Sequence, residues 1–275
     1  MKKRLPTIIL ILVFLTGLSL VMYPTVSDWW NSFHQSRAIA DYAQNIKNLD
    51  REHYERLLSS AKAYNETLQK SNRYHLSAEE AEEYNSLLDI SGTGIMGYIE
   101  IPKIKVSLPI YHGTRESVLS IAIGHIEGSS LPVGGESTHC VLSGHRGLPS
   151  AKLFSNLDKL SEEDTFLIRT LDEMLTYEVD QIRIVEPQEV SSLAIEEGKD
   201  YCTLVTCTPY GINTHRLLVR GHRIENTQEA EAVRVTSDAL QIDPVLVAPI
   251  VAIPMIVLLL ILLFVKSGKK KPDGR

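Results

Sequence analysis

Residues 201–211 read Tyr201-Cys202-Thr203-Leu204-Val205-Thr206-Cys207-Thr208-Pro209-Tyr210-Gly211, an apolar run that ends in turn residues. Aromatic and β-branched side chains favour a pleated strand, so a strand is predicted from Tyr201 to Thr206. Pro209 and Gly211 mark a turn directly after it. The thiol of Cys207 therefore stands where a strand meets a loop, an accessible position of the kind that a nucleophile requires.

Short segments of the same texture surround this one between residues 92 and 226. They are separated by turn residues such as Pro109, Gly113 and the Gly134-Gly135 pair. Further strands are predicted at Gly97–Ile101, Thr138–Leu142, Thr165–Thr170, Thr176–Asp180, Ile182–Val185 and Leu217–Ile224. Many short strands at this spacing predict a mainly β domain, either closed into a barrel or folded as a sandwich.

The segment before these strands is predicted to be helical. Between Ser36 and Lys70 there is no Gly or Pro, and apolar residues recur at intervals of three and four, which is helical periodicity. Ser77 and Glu80 have the capping-box spacing, in which the hydroxyl and the carboxylate each accept a backbone N–H bond. A short helix is predicted from there to Leu88.

Both ends of the chain carry an apolar segment with basic residues on its outer side. Leu5–Met22 follows two lysines and an arginine, and Val245–Val265 precedes four lysines between 266 and 271. A bilayer core needs about 20 apolar residues, and basic residues stay on the cytoplasmic side. Two membrane spans are therefore predicted, with both termini in the cytoplasm and the chain between them outside the cell.

Each end has a rival interpretation. The first segment could be a cleaved signal peptide, but no A-x-A site follows it, and Trp29, Trp30 and Phe33 are typical of an interfacial aromatic belt. The second could end a cell-wall sorting signal, which needs an LPxTG-like pentapeptide just upstream. Residues 242–244, Ile-Asp-Pro, are not one. Two uncleaved anchors are therefore favoured.

The average composition conceals this division of the chain. The 275 residues are 44% hydrophobic, with a mean hydropathy of −0.04 and a formal charge of −6. These values exclude a disordered chain, a polytopic membrane protein and a globally basic nucleic-acid-binding protein. Eight of the 28 basic residues but one of the 34 acidic residues lie in the two ends, so the remainder carries −13. That charge is typical of a solvated surface.

Nine histidines and three cysteines supply the candidates for chemistry. Three cysteines in so long a chain exclude a disulfide scaffold, and the positions of Cys140 and Cys202 predict buried core thiols. A thiol nucleophile needs a proton partner and a group that stabilises an oxyanion. His145 stands just after a predicted strand, with glycines on both sides. Spacing alone leaves open which of three cations serves the thiol, Arg216, Arg220 or Arg223.

The segment Thr203-Leu204-Val205-Thr206-Cys207 resembles the TLxTC signature of sortases, the membrane-anchored cysteine transpeptidases of Gram-positive bacteria. Gly144-His145-Arg146 resembles the family's catalytic-histidine segment, and Asn213–Gly221 resembles the strand of its catalytic arginine, here Arg216. Gly97–Pro102 with Leu108–Thr114 is similar to the family's first barrel strands. These motifs follow the family's order and cover about residues 70–224. The resemblance implies a mainly β fold, a sortase-type closed β-barrel with N-terminal helices.

The two predicted spans and the long helical region look like class C, the pilin-polymerising sortases. Those enzymes carry a lid loop whose Asp-Pro-aromatic motif occupies the catalytic cleft. The equivalent here is Asn72-Arg73-Tyr74, with Tyr74 as the aromatic residue. Because Asn72 cannot form the ion pair with Arg216 that an aspartate forms, this lid is expected to be held more weakly than usual.

The resemblance also implies a mechanism and partners. Cys207 would attack the Thr carbonyl of an LPxTG-like signal, His145 would act as general acid and base, and Arg216 would stabilise the oxyanion. Ser143 and Thr206 would contact the substrate. A lysine of the next pilin subunit would take the acyl group, so the partners are LPxTG-bearing pilins and the membrane, with no nucleic acid. No cofactor and no metal site is expected.

Three rival functions remain at this point. One is a sortase that attaches surface proteins to peptidoglycan, against which the second span and the lid-like segment argue. Another is a non-catalytic pilus or adhesin subunit, which would carry its own sorting signal. A secreted cysteine protease would differ in giving its acyl group to water.

The expected organisation follows from these readings. It comprises a cytoplasmic tail (1–4), a transmembrane helix (5–23), an extracellular helical region (24–70), a lid segment with a short helix (71–91), a catalytic barrel (92–226), a linker (227–244), a second transmembrane helix (245–265) and a basic cytoplasmic tail (266–275).

Overall fold

The structure, a computed structural model, describes residues 5–68 and 76–226. Four helices are present in this part, α1 Leu5–Lys47, α2 Arg51–Leu68, α3 Ala78–Ser86 and α4 Glu116–Leu119. Eight strands follow, β1 Ile95–Ile101, β2 Val106–His112, β3 Ile123–His125, β4 Thr138–Ser143, β5 Thr165–Thr170, β6 Glu173–Val185, β7 Asp200–Thr208 and β8 His215–Ile224.

The strands close into one barrel in the order β1-β2-β3-β4-β7-β8-β6-β5. The pairs β2–β3 and β4–β7 are parallel, and the other neighbours are antiparallel. The predicted closed β-barrel with preceding helices is therefore confirmed, and the sandwich is excluded. The strands β4 and β5 follow each other in the sequence but are not neighbours in the barrel. The neighbour of β4 is instead β7, which lies between β4 and β8.

Two predicted strands, Thr176–Asp180 and Ile182–Val185, are one strand in the structure. The register of β6 against β8 shifts between Val179 and Gln181. Such a bulge adds one residue to a strand without ending it. The extra residue, Asp180, forms an ion pair with Arg220 on β8 at 3.0 Å. The interrupted alternation in the sequence therefore marks a bulge and not a turn.

Alternation along the central strands separates an interior face from an exterior face. The barrel interior is the main hydrophobic core, to which β7 contributes Cys202 and Leu204 and β8 contributes Leu217 and Val219. A second, smaller cluster lies on the exterior face; it consists of Val141, Leu193, Val205 and Leu218, with Ile126 and Val185 packed against it. We call this set the exterior apolar cluster.

The long helix α1 is fastened to the barrel by hydrogen bonds along its second half. The hydroxyl of Tyr42 donates to the carbonyl of Met96 and accepts from the amide of Leu171, both at 2.9 Å. Near its middle, Asn31 donates to the carbonyl of Ser150 at 2.9 Å. The helical prediction for the N-terminal region is confirmed, but the region consists of two helices that are separated near Asp50. The carboxylate of Asp50 caps α2 by accepting a hydrogen bond from the amide of His53.

The capping box before α3 is present as predicted. The amide of Glu80 donates to the Ser77 hydroxyl at 3.2 Å, and the amide of Ser77 donates to the Glu80 carboxylate at 2.7 Å. The helix ends at Ser86, two residues earlier than the sequence suggests.

Within residues 5–68 and 76–226, no helix reaches the combination of length and apolarity needed to cross a membrane. The predicted span at 5–23 therefore stays a prediction. The tail 1–4, the linker 227–244, the second span 245–265 and the tail 266–275 lie outside the described residues. So do the proposed lid residues Asn72, Arg73 and Tyr74.

Candidate active site

Cys207 lies one residue before the end of β7 and is half-buried with a free thiol. Its partner across the antiparallel ladder is Arg216 on β8. Directly opposed residues of neighbouring strands point to the same face of a sheet. Cys207 shares that face with Val205, two residues earlier, so the thiol and the guanidinium both belong to the exterior face.

His145 follows the end of β4, on the other side of β7. The parallel register pairs Ser143 with Val205. The pairing continues past the strand, because the amide of Gly144 donates to the Val205 carbonyl at 3.1 Å. Two residues beyond that register pair, His145 falls level with Cys207. The barrel order β4-β7-β8 therefore places Cys207 between His145 on one side and Arg216 on the other.

Two contacts fix the backbone on which His145 stands. The hydroxyl of Thr206 donates to the carbonyl of Gly144 at 2.7 Å. A Cβ atom at Gly144 would lie 2.6 Å from Ile123 and 2.7 Å from Phe154, so this position has no room for a side chain. Thr206 is itself buried. The glycine and the threonine beside the two candidate catalytic residues thus hold β4 against β7.

The imidazole of His145 contacts a carboxylate that the sequence did not single out. Its Nε2 lies 3.3 Å from Oε2 of Glu116, the first residue of α4. Glu116 is 79% exposed and His145 is 28% exposed. An acidic residue at the start of a four-residue helix has no distinctive sequence signal, since it is as common there as on any helix. The contact depends on the β2–β3 connection, which brings α4 over the end of β4.

Arg216 differs from its two rivals in where its guanidinium lies. It donates to the backbone carbonyls of Asn213 and His215, at 3.2 Å and 3.0 Å. Arg220 is occupied by a bidentate pair with Asp180 and lies over the ring of Tyr201. Among the ion pairs found between described residues, none includes Arg216. Of the three candidate cations, Arg216 is the one directly opposite Cys207, and unlike Arg220 it is not engaged by a carboxylate of the described residues.

Arg223, the third candidate, lies at the far end of β8. Its guanidinium donates to the carbonyls of Thr176 and Met174 and stands 6.0 Å from the ring centre of Tyr177. These contacts hold the barrel wall and are seven residues along the strand from Arg216. Sequence spacing left three candidate arginines for the thiol, and the pairing of β7 with β8 favours Arg216 among them.

Comparisons with known proteins identify the family of the chain. A sequence profile of the sortase domain matches residues 99–224. The crystal structure of sortase C1 from Streptococcus agalactiae is similar over 70% of this chain and 100% of its own, with 56% identity and a TM-score of 0.68. The chain belongs to the sortase family. Sortase C-1 from Actinomyces oris is also similar, with 43% identity over 64% of this chain and 99% of its own, and a TM-score of 0.59.

This sortase is a cysteine transpeptidase, as its relatives are. Sortase D of Bacillus subtilis is 29% identical over 62% of this chain and 84% of its own length. The structural relatives named above are of the C type, which agrees with assignment to class C. The non-catalytic pilus subunit considered from the sequence is therefore wrong.

A second basic residue of the sortase, Arg146, joins the histidine segment to the segment after Cys207. Its guanidinium donates to Asp158 at 2.6 Å and to the hydroxyl of Thr208 at 3.3 Å. It also lies 5.8 Å from the ring centre of Tyr210. The sequence placed Arg146 next to His145, but its partners come from distant segments, so its positioning role was not predictable.

The two predicted substrate-contacting residues occupy different faces. Ser143 is half-buried and shares the parity of Val141, which belongs to the exterior apolar cluster. Thr206 is buried, and its hydroxyl donates a hydrogen bond to the carbonyl of Gly144. In the part of the chain that the structure describes, no group of three or more His, Cys, Asp or Glu side chains is arranged to hold a metal ion.

Proposed function

We propose that this sortase cleaves an LPxTG-like sorting signal between Thr and Gly and transfers the acyl group to a lysine of a pilin subunit, so that pili grow. Cys207 is the nucleophile, His145 is the general acid and base, and Arg216 stabilises the oxyanion. The single observation that carries the proposal is that Cys207 and Arg216 oppose each other on β7 and β8, while His145 comes two residues after the end of the adjacent strand β4.

The order of events follows from the positions of the groups. With His145 protonated, the Cys207 thiolate attacks the Thr carbonyl carbon, and the electron pair of the C=O bond moves to oxygen. The guanidinium of Arg216, always charged and fixed in a planar fork, donates to that oxygen. When the tetrahedral intermediate collapses, His145 gives its proton to the departing Gly amine. A thioester on Cys207 remains.

The second half of the reaction uses His145 in the opposite direction. It removes a proton from the incoming lysine amine as the amine attacks the thioester carbonyl. Glu116, 3.3 Å from the imidazole, orients the ring and places a negative charge where a lysine ammonium must approach. An isopeptide bond forms, the C–S bond breaks, and Cys207 is released as the thiolate beside a protonated His145.

The exterior apolar cluster supports an apolar substrate. It lies on the same face as Cys207 and begins two residues away, at Val205. An LPxTG signal carries Leu and Pro on the amino-terminal side of the bond that breaks. The four buried members are at most 7% exposed, so the partly buried Ile126 and Val185 at the edge of the cluster would supply the surface that such a peptide contacts.

Pilins are favoured as partners by two of the structural relatives. A sortase C of Streptococcus pneumoniae, 43% identical over 70% of this chain and 98% of its own with a TM-score of 0.62, is described with pilin substrate specificity. A sortase C1 with a TM-score of 0.62 belongs to a pilus island and is 40% identical over 70% of this chain and 94% of its own. These partners are carried over to the present chain as part of the proposal.

We further propose that both ends anchor the enzyme at the outer face of the cell membrane. The support is the pair of apolar segments with basic flanks, at 5–22 and 245–265. In the first part of α1, large apolar side chains are exposed, namely Leu10, Val13, Phe14, Leu15, Leu18, Leu20, Val21 and Met22. Such a surface is stable only in contact with lipid or another apolar partner.

The assignment is tested by incubating the full chain with an LPxTG peptide and two alternative amines. One is a peptide with a pilin lysine, and the other is a peptidoglycan stem peptide. Mass spectrometry is expected to find an isopeptide product mainly with the pilin lysine. A product mainly with the stem peptide would reassign the enzyme to cell-wall anchoring, and free acid alone would indicate a protease.

A further inference from the structure

Cys140 and Cys202 lie side by side inside the barrel. The parallel strands β4 and β7 pair them in register, so both side chains point to the same interior face. Both belong to the main core, with exposures of 3% and 0%, and both are free thiols. The catalytic proposal above uses neither of them.

The spacing between the two residues is compatible with a covalent link. Neighbouring strands lie about 4.8 Å apart, which falls within the range of about 4.4–6.8 Å between the Cα atoms of disulfide-bonded cysteines. The two side chains therefore face each other across one strand spacing. No strand has to change its register for the sulfur atoms to meet.

We propose that Cys140 and Cys202 are a redox pair that forms a disulfide across β4 and β7 when the chain meets a small-molecule disulfide during folding. One thiolate attacks the small disulfide and releases one thiol, giving a mixed disulfide on the protein. The second cysteine attacks the protein sulfur of that mixed disulfide and releases the other thiol. The two cysteines lose two electrons and two protons, and the small disulfide is reduced to two thiols.

The surroundings of the two sulfurs in the folded chain differ. Burial raises the pKa of Cys202 well above its usual value, and the hydrogen bond to Cys140 raises it further. Burial also raises the pKa of Cys140, but the hydrogen bonds from Cys202 and His125 outweigh it and lower the pKa overall. In the folded chain Cys140 is therefore the more readily ionised of the two thiols.

The position of the pair gives the link a consequence for the site. Cys140 is five residues before His145, and Cys202 is five residues before Cys207. A disulfide would fix the register that makes His145 level with Cys207. Parallel partners hold their Cβ atoms near the strand spacing, wider than the mean of about 3.8 Å in disulfides, so a small approach of the two strands accompanies the bond. The inference does not depend on the roles proposed for the catalytic residues.

The test uses the full chain with Cys207→Ala, in which Cys140 and Cys202 are the remaining thiols. The protein is unfolded, refolded with glutathione disulfide, denatured again and alkylated with iodoacetamide before its intact mass is measured. We expect no alkylation after oxidative refolding and two alkylated thiols after reduction. The oxidised form should also melt at least about 3 °C higher than the reduced form.

Matched controls separate the pair from ordinary thiol oxidation. Adding Cys140→Ala, or in a second variant Cys202→Ala, leaves one thiol, which should carry glutathione or the alkyl group and give no rise in melting temperature. Two alkylated thiols after oxidative refolding of the Cys207→Ala chain would overturn the proposal. Glutathione on both cysteines of that chain would overturn it as well.

Discussion

At the residue scale, substitution of Arg216 tests the inference that the residue paired with Cys207 across β7 and β8 stabilises the oxyanion. Arg216 stands opposite Cys207, whereas Arg223 on the same strand contacts the barrel wall at Tyr177. Arg216→Lys keeps the charge but loses the planar fork. We expect the rate of thioester formation to fall about 100-fold, since an oxyanion donor is lost. The matched control, Arg223→Lys, should leave that rate almost unchanged; equal losses in both variants would contradict the assignment.

Gly144 carries a second prediction at this scale. In Gly144→Ala the new methyl group would meet Ile123 and Phe154 at 2.6 and 2.7 Å, so the segment with His145 must shift. We expect a loss of about 1–3 kcal/mol in the free energy of unfolding and a larger proportional loss of transpeptidation. Chemical denaturation and product formation measure the two effects. Gly17→Ala is the control, because nothing lies within 4 Å of the added atom; a fully active Gly144→Ala would refute the steric argument.

At the element scale, the hydroxyl of Tyr42 makes two of the hydrogen bonds that attach α1 to the barrel. Tyr42 is buried, and its hydroxyl bridges Met96 on β1 and Leu171 in the β5–β6 turn. Tyr42→Phe leaves that carbonyl and that amide without this partner, which is expected to destabilise the protein by about 1–3 kcal/mol. Urea unfolding checks the value. Tyr23→Phe, at an exposed position of the same helix, should have no effect, and a similar stability of both variants would argue against the bridge.

The proposed lid also belongs to this scale, although its residues lie outside the described part. Asn72 cannot form an ion pair with Arg216, so Tyr74 should cover Cys207 only weakly. Labelling of Cys207 by a bulky thiol reagent should therefore change little in Tyr74→Ala. Asn72→Asp, which restores a carboxylate, should slow labelling. A large rise in rate with Tyr74→Ala would show that the lid closes tightly without the ion pair.

The sequence predicted the elements better than their contacts. Local patterns located most of the strands and the capping box at Ser77, because propensity and periodicity act over a few residues. The bulge at Asp180 was taken as a boundary, and the three-residue strand β3 was not predicted, because so short a segment has no periodicity. Glu116 was not found, since its contact with His145 joins residues 29 positions apart.

At the scale of the whole molecule, the two apolar ends should decide where the enzyme resides. The full chain reconstituted with phospholipid vesicles is expected to float with them in a density gradient. A chain reduced to residues 31–226 lacks both segments and should stay in the soluble fraction, because lipid anchoring scales with apolar length. Flotation of the shortened chain, or failure of the full chain to float, would contradict a two-anchor topology.

The acidic part of the chain between the two basic ends is compatible with the proposed topology. The net charge of the whole chain is −6, which is the sum of −13 on the residues between the two ends and the positive charge of the ends themselves. The net charge therefore describes neither the middle of the chain nor its ends. Within the barrel, the parallel β4–β7 pair is the feature that sequence order could not reveal, because β4 and β7 are separated by β5 and β6 along the chain. Because of that pairing, the end of β4 that leads into His145 lies beside the strand that carries Cys207.

The central claim is that Cys207, alone among three cysteines, carries the acyl group. The most direct measurement is peptide mapping of the full chain after acid quenching of a reaction with an LPxTG peptide and no amine. The account predicts a thioester on Cys207, its absence from Cys207→Ala, and unmodified Cys140 and Cys202. An acyl group on either buried cysteine, or an adduct that persists in Cys207→Ala, would contradict it.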